Sequence, residues 1–153
     1  TTVRVFEFSG STPQPVRSYQ PFSEQASFYR TFLGGISLDV IPVDGDGIPD
    51  IVVGAGNGGG ARVQVLDGLN GLEITNFVAY PSTVTTSYNA PVRVAGVDTT
   101  GDGRAELIMT SQGTDGTSRR IRSFQPLSGE LVDEFFEQSD GDEFREAYFL
   151  ADL

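Results

Sequence analysis

Asp44-Gly45-Asp46-Gly47-Ile48-Pro49-Asp50-Ile51-Val52-Val53-Gly54 sets three acids at short spacing and runs straight into a β-branched stretch. The signal returns as Asp98-Thr99-Thr100-Gly101-Asp102-Gly103-Arg104-Ala105-Glu106-Leu107-Ile108. Asp46–Ile51 matches Asp102–Leu107 at an offset of 56 residues, and Ile36-Ser37-Leu38 matches Val92-Arg93-Val94 at the same offset. Further along, Val63-Gln64-Val65-Leu66 matches Ile121-Arg122-Ser123-Phe124 at 58, and Glu73–Phe77 matches Leu131–Phe135. Backwards, Val3-Arg4-Val5-Phe6 matches Val63–Leu66 at 60. Self-similarity at a nearly fixed period marks a repeat architecture.

Each repeat holds four short strand signals. Val3-Arg4-Val5-Phe6-Glu7-Phe8 and Arg62-Val63-Gln64-Val65-Leu66-Asp67 alternate apolar and polar, as a half-buried strand must, because successive side chains point to opposite faces. Further strands are expected at Val16–Phe22, Ile36–Ile41, Ile51–Gly54, Glu73–Tyr80, Val92–Val97, Glu106–Thr110, Arg119–Phe124, Leu131–Phe136 and Tyr148–Leu150. The 19 glycines and 8 prolines punctuate these runs, and no segment keeps a helical apolar period over three turns. A period near 50 with four strands is that of a propeller blade.

The expected fold is therefore all-β: a β-propeller-like array of four-stranded blades, about two and three-quarter repeats, open rather than closed in one chain. With the strands of a blade lettered A to D, residues 1–31 carry C and D of a partial blade. Residues 32–81 and 90–137 each form a blade, and 138–153 hold an acidic turn and strand A of a further partial blade, all within one repeat domain over 1–153. The opening Thr1-Thr2-Val3, with no Met and no basic-then-apolar leader, reads as a mature product or an excised piece.

Composition narrows the chemistry. The 153 residues include 21 Asp plus Glu against 10 basic residues, all Arg, for a formal charge of −11; Lys, His, Cys and Trp are absent. Without His, Cys or Lys there is no Ser-His-Asp or Cys-His nucleophile, no Schiff base, no P-loop lysine and no disulfide. A zinc site would lack its usual N and S ligands. The negative charge argues against nucleic acid as a partner, and no run of about 18 apolar residues exists to span a membrane as a helix. Carboxylate, hydroxyl and carbonyl oxygen remain plentiful, the ligand set of a hard cation such as Ca²⁺.

The two acidic loops are where such ligands gather. Written as D-x-[DN]-x-D-G-x-x-D, they place side-chain oxygens at positions 1, 3, 5 and 9 and a carbonyl at 7, with glycines at 4 and 6 letting the backbone curl. The first has Pro42 at position 1, leaving Asp44, Asp46 and Asp50 plus the Ile48 carbonyl. The second offers Asp98, Asp102 and Glu106, a neutral oxygen on Thr100, and the Arg104 carbonyl. Two ions per chain follow if both loops fill. The competing reading is a pair of Asp-Gly turns without a metal.

Phe32-Leu33-Gly34-Gly35-Ile36-Ser37-Leu38, then Asp44–Gly56, then Gly59-Gly60-Ala61-Arg62-Val63-Gln64-Val65 resembles the FG-GAP or VCBS-type repeats of integrin-like β-propellers. The resemblance covers 34–80 well and 92–136 more loosely, and the second copy reads Thr110-Ser111-Gln112-Gly113 where the first has Gly-Ala-Gly. It implies Ca²⁺ in the loops, on Asp44, Asp46, Ile48 and Asp50 and on Asp98, Thr100, Asp102, Arg104 and Glu106. It also implies an extracellular, non-enzymatic recognition or scaffolding surface.

Three functions then compete. The favoured one is a secreted, self-assembling structural subunit that forms a homo-oligomer or filament head to tail through its terminal strands. The second is a segment of a larger adhesion propeller that binds a protein or glycan. A carboxylate-pair glycoside hydrolase is the third and weakest, since the clustered acids are better used as ligands. Gly54-Ala55-Gly56-Asn57-Gly58-Gly59 satisfies G-x-G-x-x-G, but a dinucleotide site needs a following helix and a strand is expected instead. The acidic stretch 138–146 is expected to be a turn rather than a third ion site. Pro81–Pro91 is expected to be a loop, with O-linked sugar on its Ser and Thr residues the speculative reading. Phe77, Tyr80, Phe124, Phe135 and Phe136 recur in phase and are expected in the core between blades.

Overall fold

The computed structural model describes residues 1–23, 32–81, 89–113 and 118–138. These hold ten strands in three antiparallel sheets and no helix. No sheet closes on itself among the described residues, so the chain is all-β with open, propeller-like blades. The expected strand Tyr148–Leu150 and the acidic stretch beyond Gln138 lie outside the described residues, as do positions 82–88 of the Pro81–Pro91 loop.

The chain divides into two compact units, Thr1–Leu33 and Gly34–Leu153. In the first, β1 (Val3–Ser9) and β2 (Thr12–Tyr19) form a hairpin, with a register shift between Val5 and Phe6. The second strand lies earlier than the Val16–Phe22 expected from the sequence. Pro13 and Pro15 argue against a strand wherever each amide must donate, yet the sheet has only two strands and β2 is an edge that tolerates them. Phe22 falls outside the strand at φ 64° and is buried.

The second unit holds two four-stranded sheets. One runs β3 (Ile36–Ile41), β4 (Asp50–Ala55), β5 (Arg62–Leu66), β6 (Glu73–Val78) in sequence order. The other is β7 (Val92–Val97), β8 (Leu107–Gly113), β9 (Ser118–Phe124), β10 (Leu131–Gln138). Each is an up-and-down meander, the order expected when short connections join neighbouring strands. The turns repeat too. The Gly71 amide donates to the Asp67 carbonyl at 2.7 Å, and the Gly129 amide to Gln125 at 2.8 Å.

The sheets pack face to face. By register and alternation, Val52, Val63 and Val65 of the first look onto Val92, Val94, Ile108 and Phe124 of the second, and these form one buried apolar cluster. Polar ties cross the same boundary. Ser37 Oγ donates to the Val92 carbonyl at 2.7 Å, and Asp39 Oδ2 accepts the Gly96 amide at 2.8 Å. Tyr80, following β6, is fully buried; its hydroxyl lies 2.9 Å from both the Thr110 and Arg120 carbonyls and accepts from Thr110 Oγ1. Burial pushes its phenol well above the ordinary range, so it stays a neutral donor. Arg122 donates to the Ala79 carbonyl at 2.7 Å and pairs with Glu134.

Of the five aromatics expected between blades, Phe77, Tyr80 and Phe124 are there, with the Phe77 and Phe124 ring centroids 4.6 Å apart. Phe135 and Phe136 are not; they are 42 % and 57 % exposed on the outermost strand. Phe136 lies under the Arg120 guanidinium, 4.5 Å from its centroid.

The repeats also differ in length where it matters. Ile41 pairs with Asp50 in the first sheet, whereas Val97 pairs with Leu107 in the second. Val97 follows Ile41 by 56 residues but Leu107 follows Asp50 by 57, so the second loop is one residue longer. Glu106, the counterpart of Asp50 in the motif, is thereby held outside its strand.

Replacing Tyr80 by Phe removes one hydroxyl and leaves buried carbonyls and Thr110 underbonded. It should lower unfolding free energy by about 1–3 kcal/mol. Urea denaturation should show an earlier midpoint at unchanged slope.

Candidate metal centre

The longer loop closes on itself through its own acids. Asp98 Oδ1 accepts the amides of Thr100 (3.1 Å) and Gly101 (2.6 Å), and Oδ2 accepts Gly103 (2.6 Å). Asp102 Oδ1 accepts the Arg104 amide at 2.9 Å. Glu106 Oε2 takes both the amide and the hydroxyl of Thr99, at 2.8 and 3.1 Å, and Oε1 lies 3.4 Å from the Thr100 hydroxyl. Gly101 and Gly103 sit at φ 79° and 87°, a conformation that a side chain would strain. Bonds from backbone amides, that of Gly103 foremost, hold the Asp98 carboxyl below its ordinary value.

This curl brings Asp98, Asp102 and Glu106 together, with one ligand oxygen from each lying within 4.8 Å of the others. Among the described residues it is the one such trio. Ca²⁺ binds oxygen at about 2.3–2.6 Å, so two ligands of one ion are at most about 5 Å apart. The donor set and its spacing fit a hard divalent cation, and three ionised carboxylates this close repel without one.

The first loop has the same motif and a different arrangement. Asp44 Oδ1 accepts the Asp46 amide at 2.9 Å, and Asp46 Oδ1 accepts that of Ile48 at 2.7 Å; both acids are exposed. Asp50 is instead fully buried at the head of β4. Its Oδ2 accepts Val43 (2.7 Å) and Asp44 (3.3 Å), and its Oδ1 accepts Gly68 (3.0 Å). A Cβ at Gly68 would collide with the Pro49 carbonyl, so only glycine brings its amide this close. In the second repeat the matching turn position is Pro126, which has no amide hydrogen. Asp50 is thus drawn inward as a structural acceptor, while Glu106 stays half-buried beside Asp98 and Asp102.

Arg104 and Ala105, inside the second loop, reach across to the first. The Ala105 amide donates to the Pro42 carbonyl at 2.9 Å, and Arg104 Nη2 to the Val43 carbonyl at 3.0 Å. The guanidinium packs against Gly45, where a Cβ would stand 3.1 Å from it. A cavity of about 260 Å³ opens beside Glu106 between Val43, Arg104, Pro126 and Leu127. The sequence singled out Arg104 only for its carbonyl; the reach of its side chain depends on how the sheets pack. The glycine run Gly54–Gly59 leads into strand β5 and not a helix, and its amides bond neighbouring loops, Gly56 to the Gly35 carbonyl at 2.9 Å and Gly58 to Asn89 at 2.8 Å.

Asp50 and Asp98 should titrate in opposite senses. Burial raises the Asp50 carboxyl, so the folded chain holds that proton to higher pH than the unfolded one. Its contribution to stability falls as pH rises through the raised value. Asp98 contributes above the usual aspartate range and loses that contribution as pH falls through its lowered value. Carboxyl-carbon NMR titration should place Asp50 above and Asp98 below the ordinary aspartate value. Asp50→Ala, which strands three amides, should cost about 2–4 kcal/mol in denaturant unfolding.

A family model for the FG-GAP-like repeat matches residues 22–109, more than half of the chain, a span that contains both loops. No curated protein and no solved structure gives a match. Repeats of this kind build β-propeller-like domains typical of extracellular proteins, often bind Ca²⁺ and are typically non-enzymatic. No helix among the described residues is long and apolar enough to cross a membrane. The chain belongs to the FG-GAP-like repeat family.

Proposed function

We propose that the chain is a non-enzymatic, extracellular, Ca²⁺-binding structural subunit that assembles with copies of itself. The observation that carries the metal reading is the convergence of Asp98, Asp102 and Glu106 within 4.8 Å. The Thr100 hydroxyl and the Arg104 carbonyl complete the oxygen set of the motif. A bound ion would offset the repulsion among the three carboxylates. The chain's own amides engage Asp98 and Asp102, and an ion would draw Glu106 to them against their mutual repulsion. In the first loop Asp44, Asp46 and the Ile48 carbonyl remain as donors, with Asp50 committed inward, and binding there should be weaker.

Assembly is supported by what the second sheet turns outward. Val97, Met109 and Ile121, each half-buried, and the exposed Phe135 occupy the positions that Ile41, Val52, Val63 and Phe77 hold in the first sheet, where a neighbouring sheet covers them. Phe135, 42 % exposed, is the counterpart of a residue packed on the core. Among the described residues the hairpin β1–β2 is a sheet of two strands, and sheet edges accept another strand readily. The same face would equally take a further blade of a longer adhesion propeller, the second reading.

Titration calorimetry in chelator-treated buffer should show Ca²⁺ binding with Kd of about 10⁻⁴ to 10⁻³ M, the range of extracellular sites. Asp102→Asn with Glu106→Gln should abolish the tighter component; unchanged binding by that variant overturns the metal reading. Light scattering should find oligomers that Phe135→Ser dissolves. A monodisperse monomer with Ca²⁺ and with chelator would sink self-assembly and favour the longer propeller.

A further inference from the structure

We infer that the second acidic loop is a cation-dependent latch between the two sheets, whereas the first keeps its shape without an ion. The inference rests on the Ca²⁺ reading of Asp98, Asp102 and Glu106 given above. The first loop is held by a buried acid: Asp50 takes three amides, one of them from Gly68 in a different turn, and none of these bonds needs a metal. The second loop has no buried anchor of this kind: Asp98 also takes three amides, but near solvent and all from its own loop. Glu106 lies ahead of its strand, and Pro126 cannot donate where Gly68 does. Its shape depends on amides taken up by acids that also repel one another.

That same loop carries the clasp. Its seventh and eighth positions, Arg104 and Ala105, bond the Val43 and Pro42 carbonyls of the first loop, and the guanidinium covers Gly45. Asp102 fixes the Arg104 amide, and Glu106 adjoins Ala105 in sequence. Whatever draws Asp102 and Glu106 toward one point therefore sets the path of the backbone between them, and with it the clasp. By linkage, the ion and the clasp stabilise each other by the same factor.

The test follows amide exchange by NMR in the full chain, with Ca²⁺ as the probe. Saturating Ca²⁺ should slow exchange over 98–106 and also over 42–48, the latter by about tenfold, within the usual range of coupling. Arg104→Met should lose the Ca²⁺-induced slowing over 42–48 and, by reciprocity, bind Ca²⁺ several-fold more weakly. If calorimetry shows Ca²⁺ bound and exchange over 98–106 slowed while 42–48 is unchanged in the wild-type chain, the latch is wrong and the Ca²⁺ reading stands. Slowing over 42–48 that survives in Arg104→Met also overturns it. If no Ca²⁺ binds, the reading beneath it fails and the latch with it. Should Arg104→Met not fold, the wild-type exchange data decide alone.

Discussion

A four-stranded sheet with β-branched residues on both faces cannot stand in water alone, and the second unit is organised around that constraint. Val52, Val63 and Val65 are sealed only because Val92, Val94, Ile108 and Phe124 lie opposite them. At about 25 cal/mol for each Å² of apolar surface removed from water, this contact dominates the stability of the pair. It also forces polar groups at the boundary to find partners across it. Tyr80, Arg122, Ser37 and Asp39 do so through carbonyls and amides of the neighbouring sheet. Such bonds are directional where apolar contact is not, and they fix how one sheet lies on the other.

The acidic loops sit at one end of this contact, and they show how burial divides the labour of identical residue types. A carboxylate taken out of water must be met by donors, and three amides meet Asp50. Once so engaged it is a strut. Asp98 meets three amides as well, but near solvent, where its remaining lone pairs stay accessible. The ninth-position aspartate of one loop and the first-position aspartate of the other thus lie on opposite sides of the ordinary value, because burial dominates at Asp50 and amide hydrogen bonds dominate at Asp98.

Much of this was legible in the sequence. The repeat, the four strands per unit and the all-β class follow from Val-rich alternation and recurring Asp-Gly signals, since strand periodicity is local. The trio of Asp98, Asp102 and Glu106 was legible for the same reason, as nine consecutive residues contain it. The one-residue difference between the loops was not. An alignment on the acids keeps Asp50 and Glu106 in step, and only the partners of Ile41 and Val97 reveal that one lies in a strand and the other does not. The role of Gly68 and the reach of Arg104 were hidden because each acts on a loop distant in the chain. The strand expected at Val16–Phe22 starts earlier, at Thr12, because β2 is an edge strand, where Pro13 and Pro15 are tolerated.

One consequence of the buried Tyr80 is optical. The chain has no Trp, so its ultraviolet emission comes from five tyrosines, and one of these is wedged between the sheets with its hydroxyl bonded to carbonyls. Parting the sheets would hand that ring to water while every strand ladder stayed intact. The joint on which the second unit depends thus carries its own chromophore, free of any added label.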